Sequence, residues 1–347
     1  MKSKTFLLCG LMLALVANSA PSSAVAQDKL YRIKKNGKAS KKTGKIEEIT
    51  ALWVKFDGAK IPVWEIAKLA SKSEPSEVEK ARDQIDKARY EDAIELLEKV
   101  KSGSGPITDA EVAWYKALAK SELSFSGGAY SAKDALSEVL AFINSNKRSH
   151  HFVPATDLMG RLAMAGGKMD FAVKQFGTLT KSKWPKYVAR GHFYSGEALL
   201  RAKKYPQATA EFDKVIALSA NDDISLRYKR LAKCQKAKVA AITGDPASSI
   251  SELETIIKQE DPDDKELFAY AYNALGECYL KGNDLAEAEE KFLFTHLLFD
   301  TEKGPHAEAV YKLANIWATQ NQTDRASEAR QILTSRYRNS WWSAQLN

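Results

Sequence analysis

The side chains able to do acid–base, nucleophilic or metal chemistry are few in this chain, and their spacing does not gather them. Its five histidines are His150, His151, His192, His296 and His306. His150 and His151 are consecutive, and consecutive residues do not share a helical face, so the pair reads as part of a connecting loop rather than a ligand set. Cys234 and Cys278 stand at helical positions among apolar neighbours, which favours buried free thiols over a disulfide framework. Asn221-Asp222-Asp223 and Asp261-Pro262-Asp263-Asp264 are acidic turns. Carboxylates of that kind favour helix N-termini, and their spacing matches no calcium loop. The sequence contains no G-x-S-x-G, H-E-x-x-H or G-x4-G-K-[ST], the patterns that set up a nucleophile elbow, a zinc protease or a phosphate loop. The expectation is therefore a protein that is not an enzyme and holds no cofactor and no metal.

Charge and the N-terminus narrow the setting. Lys2 and Lys4 precede the apolar run Phe6–Val16, and Ala24-Val25-Ala26 offers a small-residue cleavage site before Gln27, so residues 1–26 read as a signal peptide. That run is too short for a membrane anchor, and no later stretch approaches the ~18 apolar residues one needs. Cys9 has no small residue before it, unlike a lipoprotein acylation site. The mature chain is expected to be exported, to the periplasm or cell envelope of a bacterium. Net charge is +8, or +6 without the signal and its two lysines, a balance that suits anionic partners. Nucleic acid is disfavoured by the location.

Residues 27–73 differ in texture from the rest. Leu30–Ile33 alternates, Asn36-Gly37 marks a turn, Ile46, Ile49 and Leu52–Phe56 read as strands, and Asp57-Gly58 before Ile61-Pro62-Val63 signals a type I′ hairpin. Pro62 then belongs at an edge or strand end. The expectation is a small antiparallel β module of the SH3-like or Sm-like sort. Its basic run, Lys29, Arg32, Lys34, Lys35, Lys38, Lys41, Lys42 and Lys45, reads either as a patch for anionic polymer or lipid or as solvated lysines guarding a sheet edge. No aromatic interrupts Lys34–Lys45, which favours the second reading over stacking on a polymer.

After the polar linker Ser71–Ser76 the period becomes helical. Tyr272–Phe292 reads YNALGECYLKGNDLAEAEEKF. Gly276 and Ala288 are small where two helices would cross, Leu275, Tyr279 and Phe292 fill the space around them, and Gly282-Asn283-Asp284 breaks the period between. The spacing resembles the tetratricopeptide (TPR) signature, with Tyr272 for the opening Trp and no closing Pro. Gly160, Ala172 and Phe176, and Gly196, Ala208 and Phe212, repeat it. A small residue in each second helix marks the units at Ala93, Ala135, Ala172, Ala208, Ser249, Ala288 and Ala326. The resemblance covers about 77–340 and implies a mainly α fold, a TPR-like α-hairpin solenoid of about seven helix pairs over 77–347, preceded by the β module. Arg336–Trp342 resembles repeat endings in bacterial envelope TPR proteins such as the TolA-binding and outer-membrane assembly lipoprotein families, with Arg338 where Pro is usual. Trp341 and Trp342 are then capping aromatics or, alternatively, an exposed adhesive pair.

The resemblance also implies a function. First helices of stacked TPR hairpins line a concave groove that binds a peptide or protein segment. Carrying the groove positions over residue by residue gives Lys116, Lys120, Arg161, Arg190, Phe193, Arg201, Lys238, Tyr270, Asn273, Lys281, Tyr311 and Asn315, with Asp157, Glu197 and Glu277 among them. Cations outnumber acids in that set, so the expected partner is a protein with an acidic segment, anchored on Phe193, Tyr270 and Tyr311. The expected role is a non-enzymatic interaction scaffold of the cell envelope. The alternative is an envelope-surface binder whose basic β module contacts anionic polymer or lipid.

Overall fold

The structure, a computed structural model, describes residues 27–33, 38–244 and 246–346. Residues 1–26, on which the signal-peptide reading falls, and Lys34, Lys35 and the Asn36-Gly37 turn lie outside the described residues.

Two three-stranded antiparallel sheets form the N-terminal module. One has the order β2 (Ala39–Gly44), β1 (Asp28–Ile33), β6 (Ile66–Ala70), and the other β3 (Ile46–Ile49), β4 (Trp53–Phe56), β5 (Ala59–Pro62). Leu30 and Leu69 from the first sheet meet Val54, Phe56 and Ile61 from the second in a shared core. Asp57 and Gly58 turn the β4–β5 hairpin with φ of +47° and +78°, as the Asp-Gly signal requires. Pro62 ends an edge strand. Two strands escape the alternation rule. β2 is an edge of small and polar residues carrying exposed Lys41 and Lys42, and β6 follows a single 3-10 turn at Val63–Glu65.

Fourteen helices follow among the described residues, paired as seven hairpins: α1 (Ser76–Asp86) with α2 (Tyr90–Glu98), α3 (Pro106–Phe125) with α4 (Ala132–Ser145), α5 (Phe152–Ala165) with α6 (Met169–Leu179), α7 (Pro185–Arg201) with α8 (Tyr205–Ile216), α9 (Asp223–Thr243) with α10 (Pro246–Gln259), α11 (Lys265–Lys281) with α12 (Leu285–Leu298), and α13 (Lys303–Thr319) with α14 (Thr323–Arg336). The small marker of every second helix is buried, Ala93, Ala135, Ala172, Ala208, Ser249, Ala288 and Ala326 alike. Asp222 and Asp264 cap α9 and α11, each accepting a backbone N–H two or three residues into its helix, which is the role read for the acidic turns.

Gly160, Gly196 and Gly276 occupy the same surroundings. A Cβ on them would lie 2.5, 2.5 and 2.7 Å from ring carbons of Phe176, Phe212 and Phe292 respectively. No real Cβ is accommodated so close to a rigid ring. Six of the hairpin turns share one geometry as well. The second residue past the first helix adopts a left-handed φ at Ala88, Gly127, Gly167, Lys203, Asn283 and Asn321. The next N–H then reaches back five residues, as from Lys204 to the Leu199 carbonyl (2.8 Å) and from Asp284 to that of Tyr279 (2.9 Å), the bond that ends a helix in a Schellman motif.

The β module packs on the solenoid. Arg82 of α1 donates to the Leu69 carbonyl of β6 (3.0 Å), to Glu74 and to Glu111 of α3. Ser71 bonds Thr108 (3.0 Å), Arg148 pairs with Glu48, and Trp64 meets Trp184 with ring centroids 6.5 Å apart. At the other end the solenoid curls back on itself. Asn339 donates to the Ser124 and Tyr130 carbonyls (3.2 and 2.9 Å), and Lys303 reaches Ser126 (2.7 Å). Cys234 and Cys278 are buried free thiols, and burial pushes the Cys278 thiol up to about 12.

Candidate functional site

The first helices of the later hairpins, α7, α9, α11 and α13, line the concave face, and the closing tail lies on it. Trp341 and Trp342 meet edge-on with centroids 4.6 Å apart. Trp342 rests against Tyr311 of α13 (5.3 Å), and the Arg201 guanidinium of α7 sits over both indoles at 5.9 and 5.8 Å. The pair therefore does cap the last hairpin, whose core includes Trp342, Tyr337 and Leu333. It also divides the groove. On one side is a cavity of about 310 Å³ reached by Arg161, Arg201, Tyr194, Tyr270, Glu266 and Lys303. On the other is one of about 420 Å³ reached by Lys238, Glu277, Lys281, Glu308, Tyr311 and Lys312.

Of the residues expected in the groove, Arg161, Arg201, Tyr270, Lys238, Lys281 and Tyr311 line these cavities. The others are placed elsewhere. Lys116 and Lys120 face α4, where Lys120 pairs with Glu138. Arg190 is held between helices by Asp157 (Nε to Oδ1, 3.1 Å) and the Tyr228 hydroxyl (2.7 Å). Phe193 is fully buried among Phe212, Tyr228 and Tyr270, so it is core and offers no surface to a partner. Asn273 is also fully buried and donates to the Pro305 carbonyl (2.8 Å), tying α11 to α13. Asn315 is exposed and lines neither cavity. The cause is the tightness of the superhelix, which brings neighbouring first helices close enough to bury positions that a more open solenoid would leave in a groove.

The excess of positive charge is largely answered from within. Lys238 is ion-paired to Glu308, Lys312 to Glu277 (2.6 Å), and Arg201 lies 3.5 Å from Glu197. Burial works against the Lys238 ammonium, yet Glu308, Glu277 and Glu197 outweigh it and hold its pKa above the usual lysine value. Burial likewise raises Glu197, with Arg201 and Lys238 opposing, whereas at Glu277 the lysines prevail and the pKa falls. Glu308 is the residue missed in sequence. It stands six before Ala314, as Tyr270 stands six before Gly276 and Arg190 six before Gly196, and that offset was the available signal.

The histidines sort into packing and polar pins. His192 bonds Glu211 of α8 (2.7 Å), and His306 sits between His296 (2.9 Å) and the Tyr337 hydroxyl (2.6 Å). His150 and His151 lie in the connection between α4 and α5, as their spacing suggested, and both are buried. The α4–α5 turn folds both inward against Glu111, with His151 stacked on Trp114 at 4.8 Å. No helix among the described residues is long and apolar enough to cross a membrane.

Comparison with known proteins agrees with this architecture. Residues 158–223 and 234–293 match the family model described as Tetratricopeptide repeat. A tetratricopeptide repeat protein from Parabacteroides merdae ATCC 43184 is similar in structure, with a TM-score of 0.53 at 16% identity over 75% of this chain and 92% of that one. A Rap protein complexed with Competence and Sporulation Factor gives 0.51 at 14% identity, over 78% of this chain and 77% of that one. No curated protein shows significant sequence similarity to the chain. The class defined by hairpins, crossings and turns is an α-solenoid. Its hairpins over 158–223 and 234–293 are tetratricopeptide repeats, the remaining hairpins continue the same solenoid, and a small β module stands in front. That fold is a protein-interaction scaffold.

Proposed function

We propose that the protein is an exported, non-enzymatic scaffold of the bacterial cell envelope that holds a segment of a partner protein on its concave face. The observation that carries this reading is the chain's own tail, whose Trp341 and Trp342 already occupy the groove between Arg201 and Tyr311. The face accepts a short aromatic-bearing segment and has room on both sides of it. The tail is an imperfect ligand, because the buried Trp342 indole N–H finds no acceptor among the described residues, and an unpaired buried donor costs ~1–3 kcal/mol. A partner segment with an aromatic beside an acidic side chain would satisfy that pocket and meet Lys281 at its rim. The Rap protein of similar fold, complexed with Competence and Sporulation Factor, supports ligand capture by such a solenoid. Export is supported by Lys2, Lys4, the apolar Phe6–Val16 and Ala24-Val25-Ala26.

Capture from envelope extracts tests the reading. Lys281→Glu with Tyr311→Ala should release the partner, and Trp341→Ala with Trp342→Ala should change its affinity, in folded protein judged by circular dichroism. An unchanged partner set in both variants overturns groove binding. If anionic-vesicle binding is instead lost on Lys41→Glu with Lys42→Glu, the function belongs to the exposed edge of the β module.

A further inference from the structure

Three metal-competent side chains converge where the β module meets the solenoid. Glu111 comes from the first turns of α3, and His150 and His151 from the turn into α5. Their donor atoms all lie within 4.8 Å of one another, and all three residues are buried. His151 Nε2 is 3.0 Å from Glu111 Oε1, and His150 Nε2 is 3.7 Å from the same oxygen. Zinc holds nitrogen and oxygen ligands at ~2.0–2.2 Å in a tetrahedron, which sets adjacent donors ~3.3–3.5 Å apart. The two separations bracket that value, so small rotations of the side chains would close the site around an ion.

The second observation is an orphan. His150, more than nine-tenths buried, has its Nε2 without a hydrogen-bond partner among the described residues. A buried ring nitrogen that faces a carboxylate oxygen without reaching hydrogen-bond distance is costly, and an ion there would remove the cost. The other carboxylate oxygen, Glu111 Oε2, accepts from Arg82 (2.9 Å), and Arg82 is itself balanced by Glu74 (2.6 Å). Glu111 is thereby oriented by its outer oxygen while Oε1 is left to the histidines, the kind of outer partner that fixes a ligating carboxylate. Glu111 and His150 also border a cavity of about 520 Å³, walled by Ile46 and Ile49 of the β module and Asn146 of the α4–α5 turn. It supplies an entry path and a place for a fourth ligand.

We propose that Glu111, His150 and His151 form a three-ligand site for a divalent transition metal of the zinc type, with its open position toward the cavity beneath the β module. A bound ion would fasten the α4–α5 turn to α3 beside the cavity bordered by the β module.

The test uses the full mature chain, purified with chelator and dialysed. Zinc titrated against a chromophoric chelator should bind at one equivalent per chain, and cobalt in its place should give the intense visible bands of a tetrahedral ion. His150→Ala and His151→Ala should each weaken zinc at least ~100-fold, while His192→Ala should not. His151→Ala removes a ring stacked on Trp114 and risks the fold, so His150→Ala and the wild-type cobalt spectrum decide the matter. Failure of the wild-type chain to bind zinc stoichiometrically overturns the proposal. So does a weak octahedral cobalt spectrum, or zinc binding unchanged in His150→Ala.

Discussion

Two kinds of helix crossing hold this solenoid together, and they solve one packing problem from opposite sides. In the α5/α6, α7/α8 and α11/α12 hairpins a glycine faces a phenylalanine, Gly160 with Phe176, Gly196 with Phe212 and Gly276 with Phe292. In α1/α2 and α9/α10 the equivalent pairs are Ala81 with Leu97 and Ala237 with Leu253, all buried and each pair in a common core. A methyl is added on one helix and ring volume is removed from the other. Interiors are packed to crystal-like density, so the sum of the two side chains is constrained while neither one is. The last hairpin uses neither pair. Ala314 is buried but Arg330, at the ring's position, is exposed, and α13 is instead pinned through His306 and Tyr337. In that hairpin polar bonds and Trp342 take the part of the missing ring.

The comparison can be broken most sharply at Phe212. Phe212→Ala should lower stability by about 3–5 kcal/mol, since it empties a fully buried ring site, and chemical denaturation will show it as a fall in midpoint. Gly196→Ala should cost about 1–3 kcal/mol by overpacking. In the double variant with Phe212→Leu, which recreates the Ala–Leu crossing, the two penalties should fall well short of adding. Simple additivity would sink the volume-exchange account. The polar pin at the last hairpin should make that end acid-labile. Burial and the neighbouring His296 hold His306 down at about 4, below its unfolded value of ~6.5. The unfolded chain then binds the extra proton first, so the contribution is complete above pH ~6.5 and is lost as pH falls toward 4. It amounts to about 3 kcal/mol, and His306→Gln should flatten that part of the stability–pH curve. The smallest effect is at the turns. Ala88 carries a left-handed φ of +56°, so Ala88→Gly should raise stability by ~0.5–1 kcal/mol, visible as a small rise in Tm.

Much of the fold is legible in the chain because its signals are local. The Gly-Asn-Asp turn at 282–284, the recurring small residues and the Asp57-Gly58 hairpin each specify a conformation through their own sterics. β2 and β6 are harder to read, since an edge of small and polar residues and a strand after a 3-10 turn lack the alternation that betrays a half-buried strand. In the groove, the offset that finds Tyr311, three residues before Ala314, also selects Phe193 and Asn273, three before Gly196 and Gly276, which are interior. Position within a repeat reports which way a helix face points. It does not report how near the next hairpin stands.

The sequence by itself determined the seven hairpins, their order and their turns, because helical period, small crossing residues and turn chemistry act over a few residues. Only the tertiary structure decided that Trp341 and Trp342 lie in the concave face, that Glu308 answers Lys238 from seventy residues away, and that Glu111 meets His150 and His151. Those contacts depend on the accumulated rotation from hairpin to hairpin, and a few degrees at each crossing, set by side-chain volume, decide whether distant residues touch.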